Sequence, residues 1–226
     1  MDLRSVIGAA RRAGAAVGLD LAHGIGNTLV NLHEWNADFA VWCSYKYLNA
    51  GPGAIAGCFV HERHAHGVDV PRFAGWWGHD PAMRFQMGPD FHPIFGAQGW
   101  QISNPPVLSM APLLASLDIF QRAGIRRLRE KSIALTGFMH HLVNERLSGL
   151  VEIITPSAAS ERGCQLSLAV KRSPAAAKRC HDLLTAGGVI TDWREPDVLR
   201  LASVPLYNSY SDVFAAVDAL SKAVRR

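Results

Sequence analysis

The sequence lacks several features that define whole classes of protein. Its 226 residues contain no run of about 18 apolar residues, so we expect no membrane span and no membrane partner. The four cysteines form no Cys-x-x-Cys pair, which argues against a disulfide framework or a zinc knuckle. The N-terminus lacks the long apolar core of a secretory signal. These absences favour a cytoplasmic protein in a reducing setting.

The chain also has little excess charge of either sign. Charged residues make up 19% of the chain, and the formal net charge is +4. The basic residues are scattered except in segment 122–131, where no aromatic side chains lie between them. A solvated helix face is therefore favoured over a nucleic-acid surface, and we expect no nucleic-acid partner.

The first part of the chain has the pattern of an α/β protein. Apolar residues at helical spacing predict a helix over 3–14. Unbroken apolar runs predict strands over 15–21, 38–44 and 54–60, the first of them buried on both faces in a parallel sheet. A helix followed by such a strand indicates an α/β fold.

The second part of the chain alternates helices and strands after a long irregular stretch. Residues 61–104 are rich in glycine, proline and aromatic residues, and so long a loop is usually functional. A helical pattern over 108–146, broken near Gly124, follows it. We predict two domains, 1–106 and 107–226, the second a small α+β domain. Its predicted strands are 151–155, 163–170, 189–193 and 198–202, and its predicted helices are 174–186 and 212–224, the last capped by Ser209 or Ser211.

Two residues near strand ends indicate a cofactor. Asp20 closes the first apolar run, and Lys46 lies on the connection between the second and third predicted strands. Ligand groups of open α/β sheets gather where strands end, so both residues are well placed. A lysine can hold pyridoxal phosphate as an imine, while a carboxylate keeps its pyridine nitrogen protonated. The pair therefore predicts a pyridoxal-phosphate site.

Two other motifs are weaker. His61, His64 and His66 have neither a helical i, i+4 pair nor an obvious fourth ligand, so a polar loop is favoured and no metal is predicted. Gly24-Ile-Gly26 is too short for a dinucleotide fingerprint, because the third glycine is missing.

Seven segments, in order along essentially the whole chain, resemble a single family. They are Gly18-Leu-Asp-Leu-Ala-His-Gly24, Trp42-Cys-Ser-Tyr-Lys-Tyr-Leu-Asn-Ala-Gly51, His61-Glu-Arg-His-Ala-His66, Gly75-Trp-Trp-Gly-His79, Ile102-Ser-Asn-Pro-Pro106, Glu161-Arg-Gly-Cys-Gln-Leu166 and Val204-Pro-Leu-Tyr-Asn-Ser209. Together they are similar to the C-terminal half of kynureninase, a fold-type-I pyridoxal-phosphate enzyme.

The resemblance implies a hydrolase that depends on pyridoxal 5'-phosphate. Such an enzyme cleaves the Cβ–Cγ bond of L-kynurenine or 3-hydroxy-L-kynurenine to anthranilate or 3-hydroxyanthranilate plus L-alanine, in tryptophan catabolism and NAD biosynthesis. The resemblance also implies that 1–106 is the C-terminal part of the cofactor-binding large domain. It further implies a cytoplasmic homodimer whose site is shared between subunits.

The resemblance assigns the catalytic and cofactor roles by motif. Lys46 would form the imine and move the Cα proton, and Tyr45 would reach the cofactor phosphate and serve in proton transfer. Asp20 would pair with the pyridinium nitrogen, with His23 beside the cofactor.

The remaining assignments concern the partner subunit and the substrate. Trp76 and Asn104 would complete the cofactor pocket from the neighbouring subunit. Arg200 would grip the substrate carboxylate with its planar guanidinium, and Ser103 would also bind substrate. Without the resemblance, an arginine in a strand is more often a salt-bridged edge residue.

Two alternatives remain open. One is another class V pyridoxal-phosphate enzyme, such as a cysteine desulfurase or aminotransferase, although segments 103–106 and 204–209 resemble kynureninase instead. The other is a non-catalytic fragment, because this family builds most of its phosphate cup from an N-terminal portion that the chain does not contain. Strand edges that such a portion would pair are expected to be exposed.

Overall fold

The computed structural model describes residues 2–65 and 70–226 and divides the chain into two units, 1–122 and 123–226. This division assigns nearly all of the helix that begins at Val107 to the first unit. The domain boundary predicted between residues 106 and 107 stays a prediction.

Unit 1 is built on a small sheet. Its helices and strands are α1 (Leu3–Arg12), β1 (Gly18–Asp20), α2 (Leu32–Trp35), β2 (Phe39–Trp42), β3 (Gly57–Val60) and α3 (Val107–Ala123). Strand β1 pairs in parallel with β2, and β3 pairs with β2 in the antiparallel direction. In the described part of 61–104 the helical elements are the 3-10 turns Glu62–His64, Arg84–Gln86 and Gly96–Trp100, and His66 lies outside the described residues.

The predicted helix and three strands of this unit are confirmed, with shorter bounds for the strands. The prediction that β1 is buried on both faces is wrong, because Gly18 and Asp20 are exposed. Strand β1 lies at the edge of the three-stranded sheet, where its strand neighbour among the described residues is β2. An apolar run predicts a strand, but whether both of its faces are buried also depends on which other elements pack against them.

A buried carboxylate, Asp38, joins the elements of unit 1. Its Oδ2 accepts the backbone N–H of Val17 at 2.7 Å, just before β1. Its Oδ1 accepts from Arg63 Nε at 2.9 Å and contacts His64 Nε2 at 2.8 Å, while Arg11 Nη1 on α1 lies 3.3 Å from both oxygens. Burial alone would raise the pKa of Asp38, but these hydrogen bonds and the Arg63 charge bring it well below the usual range.

A small apolar core lies beside this carboxylate. Helix α1 begins after Asp2, whose side chain accepts the N–H of Ser5. The side chain of Ile7 packs with Val17 and Ala37 in a buried cluster, and Leu3, Ala10, Leu19 and Trp35 lie around it. Helix α1 is thereby held against the segments that precede β1 and β2.

Unit 2 is a four-stranded antiparallel sheet with three helices. Its elements are α4 (Ile125–Leu147), β4 (Val151–Ile153), β5 (Gln165–Val170), α5 (Pro174–Ala186), β6 (Asp192–Arg194), β7 (Val198–Ala202) and α6 (Tyr210–Arg225), and the strand order is β4-β5-β7-β6. Alternate residues of β5 and β7, such as Leu168 and Leu199, pack into one core with buried residues of all three helices. Arg200 lies on the opposite face of the sheet.

Several predicted boundaries in this half of the chain are confirmed. The helix over 174–186 and the strand over 198–202 have the predicted bounds. The helical pattern is interrupted at Gly124, which has φ +81°. Ser209 caps α6 in a capping box with Asp212. Over the described ranges, no helix is long and apolar enough to cross a membrane.

The Asp38 contacts predict how unit 1 responds to substitution and to acid. Asp38→Asn removes the charge that two arginines and a histidine surround, so we expect the free energy of unfolding to fall by about 3 kcal/mol at pH 7. Because the pKa of Asp38 is lowered by folding, its stabilisation is present above the ordinary carboxyl pKa of about 4 and is lost as the pH falls below it. The variant should therefore lose stability less steeply in acid.

Urea unfolding at pH 7 and pH 3 measures both effects. Five of the six tryptophans lie in residues 1–122, so fluorescence follows mainly this unit. Glu152→Gln, which breaks an exposed ion pair with Lys171, is the control and should change stability by less than about 1 kcal/mol. Equal stability of Asp38→Asn and the unsubstituted chain would contradict the account.

Candidate functional site

The backbone around Lys46 is fixed by hydrogen bonds within its own turn. Ser44 is fully buried, and its hydroxyl donates to the carbonyl of Ile55 at 2.5 Å. The N–H of Ala50 donates to the carbonyl of Ser44 at 3.1 Å, and the N–H of Asn49 donates to the carbonyl of Lys46 at 3.0 Å. The turn that follows β2 (residues 44–50, called the lysine turn below) therefore presents Lys46 from a defined backbone.

Helix α3 supports the same turn from its other side. The hydroxyl of the buried Ser116 donates to the carbonyl of Leu48. The N–H of Ile55 donates to the carbonyl of Ser109 at 3.2 Å. No sequence pattern indicated this role for Ser116, because a single serine in an apolar helix has many uses.

The side chain of Lys46 differs from those of the other four lysines. Lys131 donates to the carbonyl of Pro205 at 2.7 Å, and the three remaining lysines pair with carboxylates. Within residues 2–65 and 70–226 the Lys46 ammonium has neither a hydrogen bond nor an ion pair. The Lys46 Nζ lies 5.8 Å from the centroid of the Tyr45 ring. Lys46 is half-buried and available for another group.

Asp20 lies at the adjacent strand end. It pairs in register with Val41 on β2, and the N–H of Leu21 continues the ladder to the carbonyl of Val41 at 2.9 Å. Asp20 Oδ1 accepts the N–H of Ala22 at 2.9 Å, which turns the chain after the strand. In the part of the chain that the structure describes, the Asp20 carboxylate has no cationic partner. The parallel pairing thus places Asp20 next to the strand that leads into the lysine turn.

The loop after Asp20 packs directly on the lysine turn. Gly26 has φ +78°, and a Cβ on it would lie 2.5 Å from the carbonyl oxygen of Tyr47. Cys43 Sγ lies 3.8 Å from the carbonyl oxygen of Ala22. The rings of His23 and Tyr47 meet edge to face, with centroids 6.0 Å apart. The structure therefore brings Asp20, His23, Tyr45 and Lys46 into one neighbourhood, together with Tyr47, which was not among the predicted site residues.

Trp76, Ser103 and Asn104 form a second neighbourhood in the same unit. A Cβ on Gly75 would lie 2.2 Å from Ile102 Cα, so the segment before Trp76 packs tightly on the segment before Ser103. Trp76 meets Phe85 edge to face at 5.3 Å. All three predicted site residues are exposed on this chain.

Arg200 is not in this unit, because it lies on β7 of unit 2. Its Nε donates to Asp192 Oδ2, and its Nη2 forms an ion pair with the same oxygen. The cross-strand carboxylate was not predicted. Within the described residues no group of three or more His, Cys, Asp or Glu side chains is arranged to hold a metal ion.

The first neighbourhood has the components of a site for an aldehyde cofactor. Two adjoining turns carry an amine and a carboxylate that have no ionic partner among the described residues, together with an imidazole and an exposed phenol. An amine can attach a carbonyl group covalently, and a carboxylate can hold a protonated ring nitrogen. An amine and a carboxylate of this kind are two of the groups that a pyridoxal-phosphate site uses.

Comparison with known proteins supports this interpretation. The family profile described as kynureninase C-terminal domain matches residues 128–220. A kynureninase of Stenotrophomonas maltophilia is 56% identical over 217 residues, which cover 96% of this chain and 51% of the relative. The chain therefore spans about half the length of the curated relatives it matches.

Solved structures show the same fold at much lower identity. A cysteine desulfurase of Escherichia coli superposes with a TM-score of 0.76 at 19% identity, covering 99% of this chain and 55% of the other. The cystine C–S lyase C-DES, solved as a mutant with glycine covalently linked to its pyridoxal-phosphate cofactor, has a TM-score of 0.68 at 18% identity and covers 88% and 49%.

These structures define the class of the fold as that of the class V, fold-type-I enzymes that depend on pyridoxal phosphate. The desulfurases share only this fold with the chain, since their identity is below 20%. Within the class the chain belongs to the kynureninase family, and it corresponds to the C-terminal half of that family's chain.

The close approach at Gly26 predicts that the two turns leave no room for a methyl group between them. Gly26→Ala combines the unfavourable positive φ with a clash at the Tyr47 carbonyl, so we expect a loss of about 3 kcal/mol in unfolding free energy. The NMR signals of the His23 ring should also shift, because its packing on Tyr47 changes.

Gly14→Ala is the matched control for Gly26→Ala. Gly14 also has φ +78°, but nothing lies within 4 Å of the position that an added methyl group would take. The control should carry the backbone strain alone, about 1 kcal/mol, and leave the His23 signals in place. Equal effects of the two substitutions would show that the loop does not press on the lysine turn.

Proposed function

We propose that this chain contributes the C-terminal half of a kynureninase site. The reaction is hydrolysis of the Cβ–Cγ bond of L-kynurenine or its 3-hydroxy form, giving an anthranilate and L-alanine. The observation that carries the proposal is the lysine turn, on which the unpaired Lys46 is held beside the strand that ends in Asp20. The kynureninase relatives support the choice of reaction within the class.

The residues present fit pyridoxal phosphate. The amine of Lys46 and the carboxylate of Asp20 are both without an opposite charge among the described residues, although three other lysines pair with carboxylates and Lys131 donates to a backbone carbonyl. Two such groups on adjoining turns suit a ligand that supplies an aldehyde and a basic ring nitrogen. Lys46 would attach the cofactor, Asp20 would hold a proton on its ring nitrogen, and Tyr45 would bond its phosphate.

When bound, pyridoxal phosphate supplies an electron sink for charge that develops at the substrate's Cα. The chain's own residues then move protons. Lys46 Nζ takes the proton from Cα and must be neutral to do so. The Tyr45 hydroxyl, on a 52% exposed side chain beside Lys46, holds a proton for Cβ when the carbon bond breaks.

Substrate binding and assembly belong to the same proposal. Arg200 would bind the substrate's α-carboxylate, aided by Ser103. Trp76 and Asn104 are exposed on this chain, which supports a homodimer in which they complete the partner's site. Within the described residues no two cysteines form a disulfide bond, which supports a cytoplasmic setting.

The test adds the part of a kynureninase relative that this chain does not cover. The purified 226-residue protein and pyridoxal phosphate are mixed with the half of the Stenotrophomonas maltophilia kynureninase that the chain does not match. We expect lysine-dependent visible absorbance and release of anthranilate from L-kynurenine. Lys46→Ala should abolish both, while Lys171→Ala, which alters an exposed ion pair, should leave both intact.

The same assay without the added half examines the alternative of a non-catalytic fragment. Activity only in the mixture would support the proposed site and show that the chain alone is not an enzyme. Release of anthranilate that survives Lys46→Ala, or its absence from the mixture when both halves are folded and associated, would refute the proposed function.

A further inference from the structure

The sheet face of unit 2 carries a group of charges centred on Asp192. Asp192 on β6 pairs in register with Arg200 on β7. Its Oδ2 binds Arg200 through Nε and Nη2 and lies 3.3 Å from Arg194 Nε. Two guanidinium groups and one carboxylate leave one net positive charge, which is the charge that a single carboxylate ligand would neutralise.

The arrangement fixes one edge of the Arg200 guanidinium and leaves the other open. The Nε–Nη2 edge is held by Asp192, whereas Nη1 has no partner among residues 2–65 and 70–226. The Arg200 side chain is only 20% exposed, so a ligand can approach it from few directions. A planar guanidinium that is held at one edge loses less entropy when it binds a ligand at the other.

Asp192 is itself held in place by its neighbours in the chain. Thr191 is buried, and its hydroxyl lies 2.8 Å from Nδ1 of His181 on α5. The ring of Trp193 lies 6.0 Å from the same imidazole. The edge strand β6 is thus anchored to α5 on both sides of Asp192, and the carboxylate has a rigid support.

Asp192 and Arg200 border a groove large enough for a small ligand. The groove has a volume of about 710 Å³, and its lining includes Asp192, Arg200, Ser203 and Asn208. Asp212 also lines it, but its carboxylate already accepts the N–H and hydroxyl of Ser209. The charge of Asp212 is offset by the nearby charge of Lys131, so the positive charge around Asp192 remains available.

We propose that Asp192 is a positioning residue, which orients Arg200 so that its free edge binds the carboxylate of an amino-acid ligand in this groove. The proposal rests on the proposed function, in which Arg200 binds the substrate's α-carboxylate. It adds a role for Asp192, which would act on the ligand through Arg200. Arg194 offsets the charge of Asp192, so the held arginine still attracts an anion.

The test observes Arg200 directly in the 226-residue chain. Two-dimensional ¹H–¹⁵N spectra resolve arginine Nε–H groups, and the Arg200 signal is assigned with Arg200→Lys. We expect a slowly exchanging signal that shifts on titration with L-alanine or L-kynurenine but not with L-alaninamide, which lacks the carboxylate.

Variants of Asp192 separate positioning from other roles. Asp192→Ala should make the Arg200 Nε–H exchange rapidly and weaken L-alanine binding about tenfold, the value of one good hydrogen bond. Asp192→Asn keeps an acceptor oxygen and should restore most of the affinity. Glu152→Ala, which removes a carboxylate from an exposed ion pair, is the control and should change neither.

Three results would overturn the proposal. Unchanged exchange and affinity in Asp192→Ala would show that Asp192 does not hold Arg200. Tighter binding in both variants would make Asp192 a competitor of the ligand. No shift of Arg200 with either carboxylate ligand would show that the groove does not bind one.

The outcome is separable from that of the proposed function. If L-alanine binds in the manner that depends on Asp192 but the complemented protein releases no anthranilate, the positioning role stands and the reaction is refuted. If anthranilate is released with unchanged KM in Asp192→Ala, the reaction stands and the positioning role is refuted.

Discussion

Unit 1 depends on the buried carboxylate of Asp38. Its partners come from α1, from the residue before β1 and from the turn after β3, so one side chain joins segments that are far apart in the sequence. The backbone of Asp38 extends the same junction, because its N–H donates to the carbonyl of Val17 and its carbonyl accepts from His61, each at 2.9 Å. Such a charge is stable in the interior only when several donors surround it. The parallel pairing of β1 and β2 follows from this junction.

That pairing sets the geometry of the proposed cofactor site. Once β1 and β2 are in register, Asp20 and the lysine turn lie at adjoining strand ends, and the loop containing Gly26 closes on Tyr47. The turn around Lys46 is then held by its own hydrogen bonds and by Ser116 of α3. The Lys46 side chain is therefore presented from a fixed backbone. In unit 2, strand pairing likewise places a side chain, because the register of β6 on β7 brings Asp192 to Arg200.

The sequence was most informative where the determinants are local. The helix over 174–186 could be predicted to the residue, because Ser173 and Pro174 begin it and Gly187 ends it. The position of Lys46 on a strand-to-strand turn was likewise readable from the apolar runs on either side. Asp38, in contrast, looked like the first residue of a strand. Its partners are 21 to 27 residues away, so no local pattern indicates that it is buried among them. The partner of Arg200 depends on the register of β6 on β7, and the exposure of β1 depends on what packs beside it, which no local pattern reports.

The central claim is that Lys46 is the one lysine prepared to attach a pyridoxal-phosphate cofactor. The most direct measurement is borohydride trapping of the folded chain with an equimolar amount of pyridoxal phosphate, followed by peptide mass spectrometry. The account predicts that the reduced adduct is found on Lys46, because the other four lysines are engaged with oxygen atoms. Labelling spread evenly over the five lysines, or concentrated on any lysine other than Lys46, would contradict it.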